Sequence, residues 1–182
     1  MKIKILLVLL LFVVTGCSTA VAAKNSKQVK FVFFDIGQGD ASFVEFENGQ
    51  QLLIDCSIDA RILESLGNVM SYYDRKIDYL FITHPDQDHY GGCVDVMKRF
   101  EIGTIVYTGF KKQNQFFLEF EKTMNEEIAS GATYIEITEP KEFIIASSTV
   151  KVLYPNVPVD ELPLKSANES SLVIQIRHND IS

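Results

Sequence analysis

The sequence predicts an α/β fold in which sheets are covered by helices. Three features carry that expectation. Short apolar runs of strand length cluster near the start and the end of the chain, and the longer helical patterns lie between them. Elements in that order bury their apolar faces best as stacked layers. The chain has 182 residues, 47% of them hydrophobic and 23% charged, which suffices for one globular domain with a sizeable core.

Residues 29–34 form a mostly apolar run and are expected as a buried strand. The stretch from Asp35 to Asp40 breaks it with Gly37 and Gly39. Residues 42–46 and 51–54 flank Glu47-Asn48-Gly49-Gln50, and Asn-Gly between two such runs signals a hairpin. Residues 59–73 place Ile62, Leu63, Leu66, Val69 and Met70 on one side of a helix, with Gly67 as its weak point. A buried strand is expected over 77–83, a helix over 93–100 and a strand over 104–107. A second long helix over 113–130 ends at Gly131, a residue suited to a C-cap. Strands follow over 133–137, 143–145, 150–154 and 172–177, with a proline-containing loop over 155–167. The last strand runs into His178-Asn179-Asp180, which has the composition of a turn. A final strand with no following partner leaves an open edge, so the natural fold is expected to continue beyond Ser182.

The first residues have the form of a targeting signal. Lys2 and Lys4 precede the apolar run 5–14, too short to span a bilayer but suited to a signal core. Val14-Thr15-Gly16-Cys17 resembles a bacterial lipobox, in which Cys17 is lipidated and becomes the mature N-terminus. Residues 1–16 are then the signal, 17–28 a flexible tether and 29–182 the folded domain. The alternative is a plain secretory signal cut after Ala22 or Ala23. Either way the domain is expected outside the cytoplasm, in the first case anchored to the membrane by lipid. Cys56 and Cys93 remain, and in an oxidising compartment they could pair or, being near the metal motif, supply a thiolate; the simplest expectation is two buried free thiols.

The formal net charge is -7, and loss of Lys2 and Lys4 with the leader makes the remainder more acidic still. Such a surface disfavours loose binding to DNA or anionic lipid. Arg75-Lys76, Lys98-Arg99 and Lys111-Lys112 are the only adjacent basic pairs, and each is expected to be solvated.

The chemistry concentrates in Thr83-His84-Pro85-Asp86-Gln87-Asp88-His89-Tyr90-Gly91-Gly92, directly after a strand. His84, Asp86, Asp88 and His89 can all ligate a divalent metal. His84 and Asp86 are two apart and share a side if extended, while Asp88 and His89 lie where the chain turns toward a helix. Two adjacent pockets are therefore expected, and nitrogen and oxygen donors suit Zn, Mn and Fe alike. His178 and Asp180, in the terminal turn, are not expected to be ligands.

This run is similar to the H-x-H-x-D-H signature of the metallo-β-lactamase superfamily, with Asp86 replacing the second His. The variant resembles the T-H-x-D-x-D-H-x-G-G motif of ComEC-type competence proteins. Asp35-Ile36-Gly37-Gln38-Gly39-Asp40-Ala41 resembles that family's D-V-G-Q-G-D-A opening, Leu53-Ile54-Asp55 its strand-end Asp, and Asn168 to Ile174 its N-x-x-S-L-V-L strand. The resemblance implies the N-terminal part of an αββα sandwich and one or two divalent ions, Zn or Mn foremost. It implies His84 and Asp86 at one metal, Asp88 and His89 at the other, Asp88 also orienting the attacking water, Asp55 supporting the site, and Asp35 and Asp40 lining it. The implied activity is metal-dependent hydrolysis by a metal-bound hydroxide, phosphodiesterase- or nuclease-like. The implied substrate is a small molecule or a phosphodiester, DNA included. A later Gly-Asp segment of the family is not found before Ser182, so weak or absent activity is expected of this chain by itself. The alternative class is a truncated, non-catalytic metal-binding or partner-dependent envelope lipoprotein.

Overall fold

A computed structural model describes residues 28–178. The expected leader, Cys17, the tether up to residue 27, and the terminal residues including Asp180 lie outside the described residues.

Two sheets stack, and helices cover one of them. The larger sheet has six strands in sequence order: β1 (Lys30–Phe33), β2 (Ser42–Glu45), β3 (Gln51–Ile54), β4 (Lys76–Phe81), β5 (Glu101–Tyr107) and β6 (Thr133–Glu136). The smaller holds β7 (Lys141–Ile145), β8 (Ser148–Tyr154) and β9 (Val173–His178). β1, β2 and β3 pair antiparallel, whereas β3, β4, β5 and β6 pair parallel. Parallel neighbours need crossovers. Helix α1 (Arg61–Val69) supplies the first, α2 (Gln87–Tyr90) with α3 (Cys93–Arg99) the second, and α4 (Gln115–Ser130) the third.

Strand periodicity divides the core in two. Phe43, Leu53, Leu80 and Ile105 face the helices, where Ile62, Leu66, Val96, Phe117 and Phe120 meet them. Their chain neighbours Val44, Leu52, Phe81 and Val106 point to the other face and pack on Ile145, Val150 and Val152 of the small sheet. Successive strand residues alternate sides, so one apolar pair per strand feeds both cores. The layered α/β expectation holds. The order is helices, six-stranded sheet, three-stranded sheet, and among the described residues no helix covers the outer face of the small sheet.

Local signals also hold. Asn48-Gly49 makes the β2–β3 turn, with Gly49 at φ +88° and Phe46 N–H donating to the Gln50 carbonyl at 2.9 Å. Asn114 caps α4 by accepting from the Phe117 N–H at 2.9 Å, and Gly131 closes it at φ +125°. Helix α1 is shorter than expected, because the chain turns extended at Met70 and bends through Ser71 to Asp74. The expected burial of β1 does not hold. Among the described residues it is an edge strand bonded only to β2, and Phe33 is 80% exposed.

Two further expectations are corrected. Cys56 and Cys93 are not free thiols but a buried disulfide, with Cα atoms 5.1 Å apart. The cause is close packing of the segments that carry them: a Cβ on Gly92 would lie 2.3 Å from the Cys56 carbonyl oxygen, so only glycine permits the approach. Neither sulfur is then a metal ligand. The Lys111-Lys112 pair is not wholly solvated. Lys111 is exposed and paired with Glu121, but Lys112 turns inward onto Asp86. Arg75, Lys76, Lys98 and Arg99 are exposed as expected.

Candidate metal centre

The candidate ligands gather at the carboxyl ends of β3 and β4, the place where parallel sheets present ligand sites. Asp55 follows β3 directly, and Thr83 to His89 follow β4 through a short extended stretch into α2. Asp55 is buried and holds a left-handed backbone at φ +58°. Such strain in a non-glycine residue costs on the order of 1–3 kcal/mol and tends to collect at functional sites.

Asp55 organises what surrounds it. Its Oδ1 accepts from the Thr83 N–H at 2.8 Å, and its Oδ2 lies 2.7 Å from Thr83 Oγ1 and 2.8 Å from His89 Nδ1. A buried carboxylate accepts, so Thr83 Oγ1 and His89 Nδ1 both donate to it. The Thr83 hydroxyl has only one proton, and that is given to Asp55. It therefore accepts from His84 Nδ1, 3.0 Å away. One carboxylate thus fixes the tautomer of both imidazoles, His89 directly and His84 through Thr83. Each ring is left with its lone pair on Nε2, the arrangement of metal-ligating histidines whose other nitrogen is held by an outer partner.

The two rings lie with centroids 4.0 Å apart. His84 Nε2 is buried with no hydrogen-bond partner, and Asp86 Oδ2 stands 3.4 Å from it. Leaving a buried acceptor unmatched costs about 1–3 kcal/mol, which a metal ion would relieve. Burial, then the neighbouring His89, holds His84 below the ordinary imidazole pKa and keeps it neutral, the form that ligates. Burial pulls His89 the same way, but the hydrogen bond and charge of Asp55, with Asp88 and Asp40, leave it raised.

Asp40 is largely exposed, and its Oδ2 is 3.9 Å from His89 Nε2. Its N–H donates to the Asp88 carbonyl at 3.3 Å, across an approach so close that a Cβ on Gly39 would lie 1.8 Å from that oxygen. Asp88 is half-buried and its charge acts on both imidazoles. The structure thus places His84, Asp86, His89, Asp40 and Asp55 side by side, with the charge of Asp88 acting on both imidazoles. Asp35 does not. Gly37 and Gly39, at φ +79° and +92°, turn the chain between the two aspartates, and Asp35 lines a separate shallow hollow with Arg61 and Glu64. His178 also lies elsewhere, 3.0 Å from Ser148 Oγ in the small sheet.

Thr83 and Lys112 are the residues that sequence reasoning missed. Thr83 was visible as the residue before His84, but its relay to Asp55 needs the β3–β4 pairing. Lys112 is 26 residues from Asp86 and had no local signal. Its ammonium bonds Asp86 Oδ1 and, outweighing the effect of burial, holds that carboxyl below the usual range. Among the described residues, no three His, Cys, Asp or Glu side chains yet converge as a finished metal cage. The donor chemistry, the shared tautomer control and the unmatched His84 Nε2 nevertheless fit a divalent ion.

Stacked sheets under a helical layer, with paired imidazoles at the strand ends, define a layered α/β protein with a site of the metal-ligating kind. The sequence profile of the Metallo-beta-lactamase superfamily matches residues 34–154, and the chain belongs to that superfamily. Its members are largely metal-dependent hydrolases, and the fold usually binds divalent metals. No curated protein matches the chain. Among solved structures, a motif mutant of a metallo-beta-lactamase from Cronobacter sakazakii is similar at TM-score 0.52 and 13% identity, covering 84% of this chain and 57% of that one. CmlA, a diiron β-hydroxylase from Streptomyces venezuelae, gives TM-score 0.45 at 17% identity, over 82% of this chain and 27% of that one. A flavo di-iron protein from Thermotoga maritima gives 0.43 at 16% identity, over 69% and 33%. The first likeness is one of fold. The chain spans little more than half the length of that structure and about a third or less of the other two.

Proposed function

We propose that this chain is the metal-binding part of an extracytoplasmic hydrolase acting on phosphodiesters, DNA among them, in the manner of ComEC-type proteins, and held to the membrane through a lipid on Cys17. The observation that carries the proposal is the pair of Nε2 lone pairs on His84 and His89, set by the single carboxylate of Asp55. His84 with Asp86, and His89 with Asp88, are the residues that would hold one or two ions, Zn or Mn. A divalent ion bound there would lower the pKa of water and polarise the scissile group. The chain's own contributions are positional. Asp55 and Thr83 lock the imidazoles, Asp40 and the Gly39 turn brace the segment bearing Asp88, and Asp88 orients the attacking water. The preference for a phosphodiester over a lactam rests on the resemblance of Asp35 to Ala41 and of Thr83 to Gly92 to the ComEC-type motifs.

The expected outcome of an assay with added Mn or Zn is slow cleavage of a chromogenic phosphodiester and none of a chromogenic cephalosporin. Asp88→Asn should abolish the cleavage. Lactam opening faster than phosphodiester cleavage, or cleavage indifferent to Asp88→Asn, would contradict the proposal. The anchor has its own check. Cys17→Ala should move the protein from the membrane fraction to the soluble fraction, and identical fractionation of variant and wild type would remove the lipid from the account.

A further inference from the structure

We propose that Lys112 is a built-in counter-cation of the metal site: its ammonium holds Asp86 through Oδ1, and its charge opposes a divalent ion taken up through Asp86 Oδ2. The inference rests on the assignment of His84 and Asp86 as ligands. The two oxygens of Asp86 face different ways. Oδ1 takes the Lys112 ammonium, and Oδ2 stands 3.4 Å from the unmatched His84 Nε2. Metal and ammonium would therefore share one carboxylate, one charge on each oxygen.

The lysine is not a surface side chain that happens to reach. Lys112 is 30% exposed, whereas its neighbour Lys111 is 74% exposed. The connection from β5 to α4 that carries it is braced at both ends. Tyr107 Oη donates to the Phe110 carbonyl on one side, and Asn114 caps α4 on the other. Lys112 also lines a concavity of about 960 Å³ together with Asp95, Asn114 and Glu119. The ammonium thus has room to swing away from an arriving ion.

Two cations beside one carboxylate repel each other. Apparent affinity for the ion is then lowered by that repulsion, without the ammonium having to leave. The device would let a divalent ion in and keep weaker cations out, because the entrant must beat a tethered charge. It also keeps Asp86 from standing as an unpaired, half-buried anion before metal arrives.

The test is zinc chloride binding, measured by competition with a chromogenic chelator and by thermal melting, on wild type, Lys112→Met and Lys112→Arg. Lys112→Met should bind zinc about two- to fivefold more tightly, the gain expected from removing a partly exposed ion pair beside the site. Lys112→Arg should stay close to wild type. Metal-free Lys112→Met should melt below the metal-free wild type, yet gain more on adding zinc. If Lys112→Met lowers both melting temperatures equally and leaves affinity unchanged, the lysine is structural and the proposal is overturned while the metal site stands. If zinc binding is insensitive to alanine at His84 and His89, the metal assignment falls and the proposal falls with it.

Discussion

Alanine at both His84 and His89 should abolish tight binding of a divalent ion while leaving the protein folded. The two imidazoles are oriented to offer Nε2, since Asp55 and Thr83 occupy both Nδ1 atoms. Removing an outer partner of a metal ligand typically costs 10–100-fold in affinity, so loss of both ligands should cost at least about 100-fold. The fold should survive for a specific reason. Asp55 keeps its two bonds to Thr83, and the buried acceptor on His84 that lacks a partner disappears. Metal content by elemental analysis and the far-UV circular dichroism spectrum check the two halves of this expectation. Metal content unchanged in the double variant would mean that the ion sits elsewhere.

Breaking the Cys56–Cys93 bond should have the largest effect on stability. The bond closes a stretch of 37 residues that contains β4 and most of the metal motif. Loop-closure entropy for such a length corresponds to about 4 kcal/mol, a figure that native-state relaxation usually trims. A second effect is expected at the site. Cys56 N–H donates to the His89 carbonyl at 2.7 Å, and Cys56 adjoins Asp55, so the bond ties the carboxylate that sets the tautomers to the turn that carries His89. Cys56→Ser with Cys93→Ser should therefore lower the urea midpoint and weaken zinc binding together. A midpoint within error of the oxidised wild type would show that the bond adds nothing to the folded protein.

How much of this was legible in the sequence depended on how far apart the cooperating residues lie. Asn48-Gly49, Asn114 and Gly131 act within a few residues, and each does what its local chemistry implies. The metal motif was legible because four donors fall within six positions. Asp55 could be assigned by resemblance, but its control of His84 through the Thr83 hydroxyl needs two parallel strands in register. The disulfide was open in the sequence because pairing depends on how closely Gly92 lets two segments approach. Lys112 was read as solvated because adjacent basic pairs usually are, and nothing in such a pair tells which member turns inward. Residues 29–34 are apolar enough for a buried strand, but an edge position leaves Phe31 and Phe33 exposed. Asp35 was grouped with Asp40 by the resemblance of the loop that carries both, and two left-handed glycines separate them in space.

The central claim is that His84 and His89 ligate a divalent ion through Nε2 while the sulfurs stay out of the site. X-ray absorption at the zinc edge of the zinc-loaded protein tests it most directly. The account predicts a shell of nitrogen and oxygen with the outer scattering of two imidazole rings and no sulfur. A sulfur contribution, or an oxygen-only shell without imidazole scattering, would contradict it.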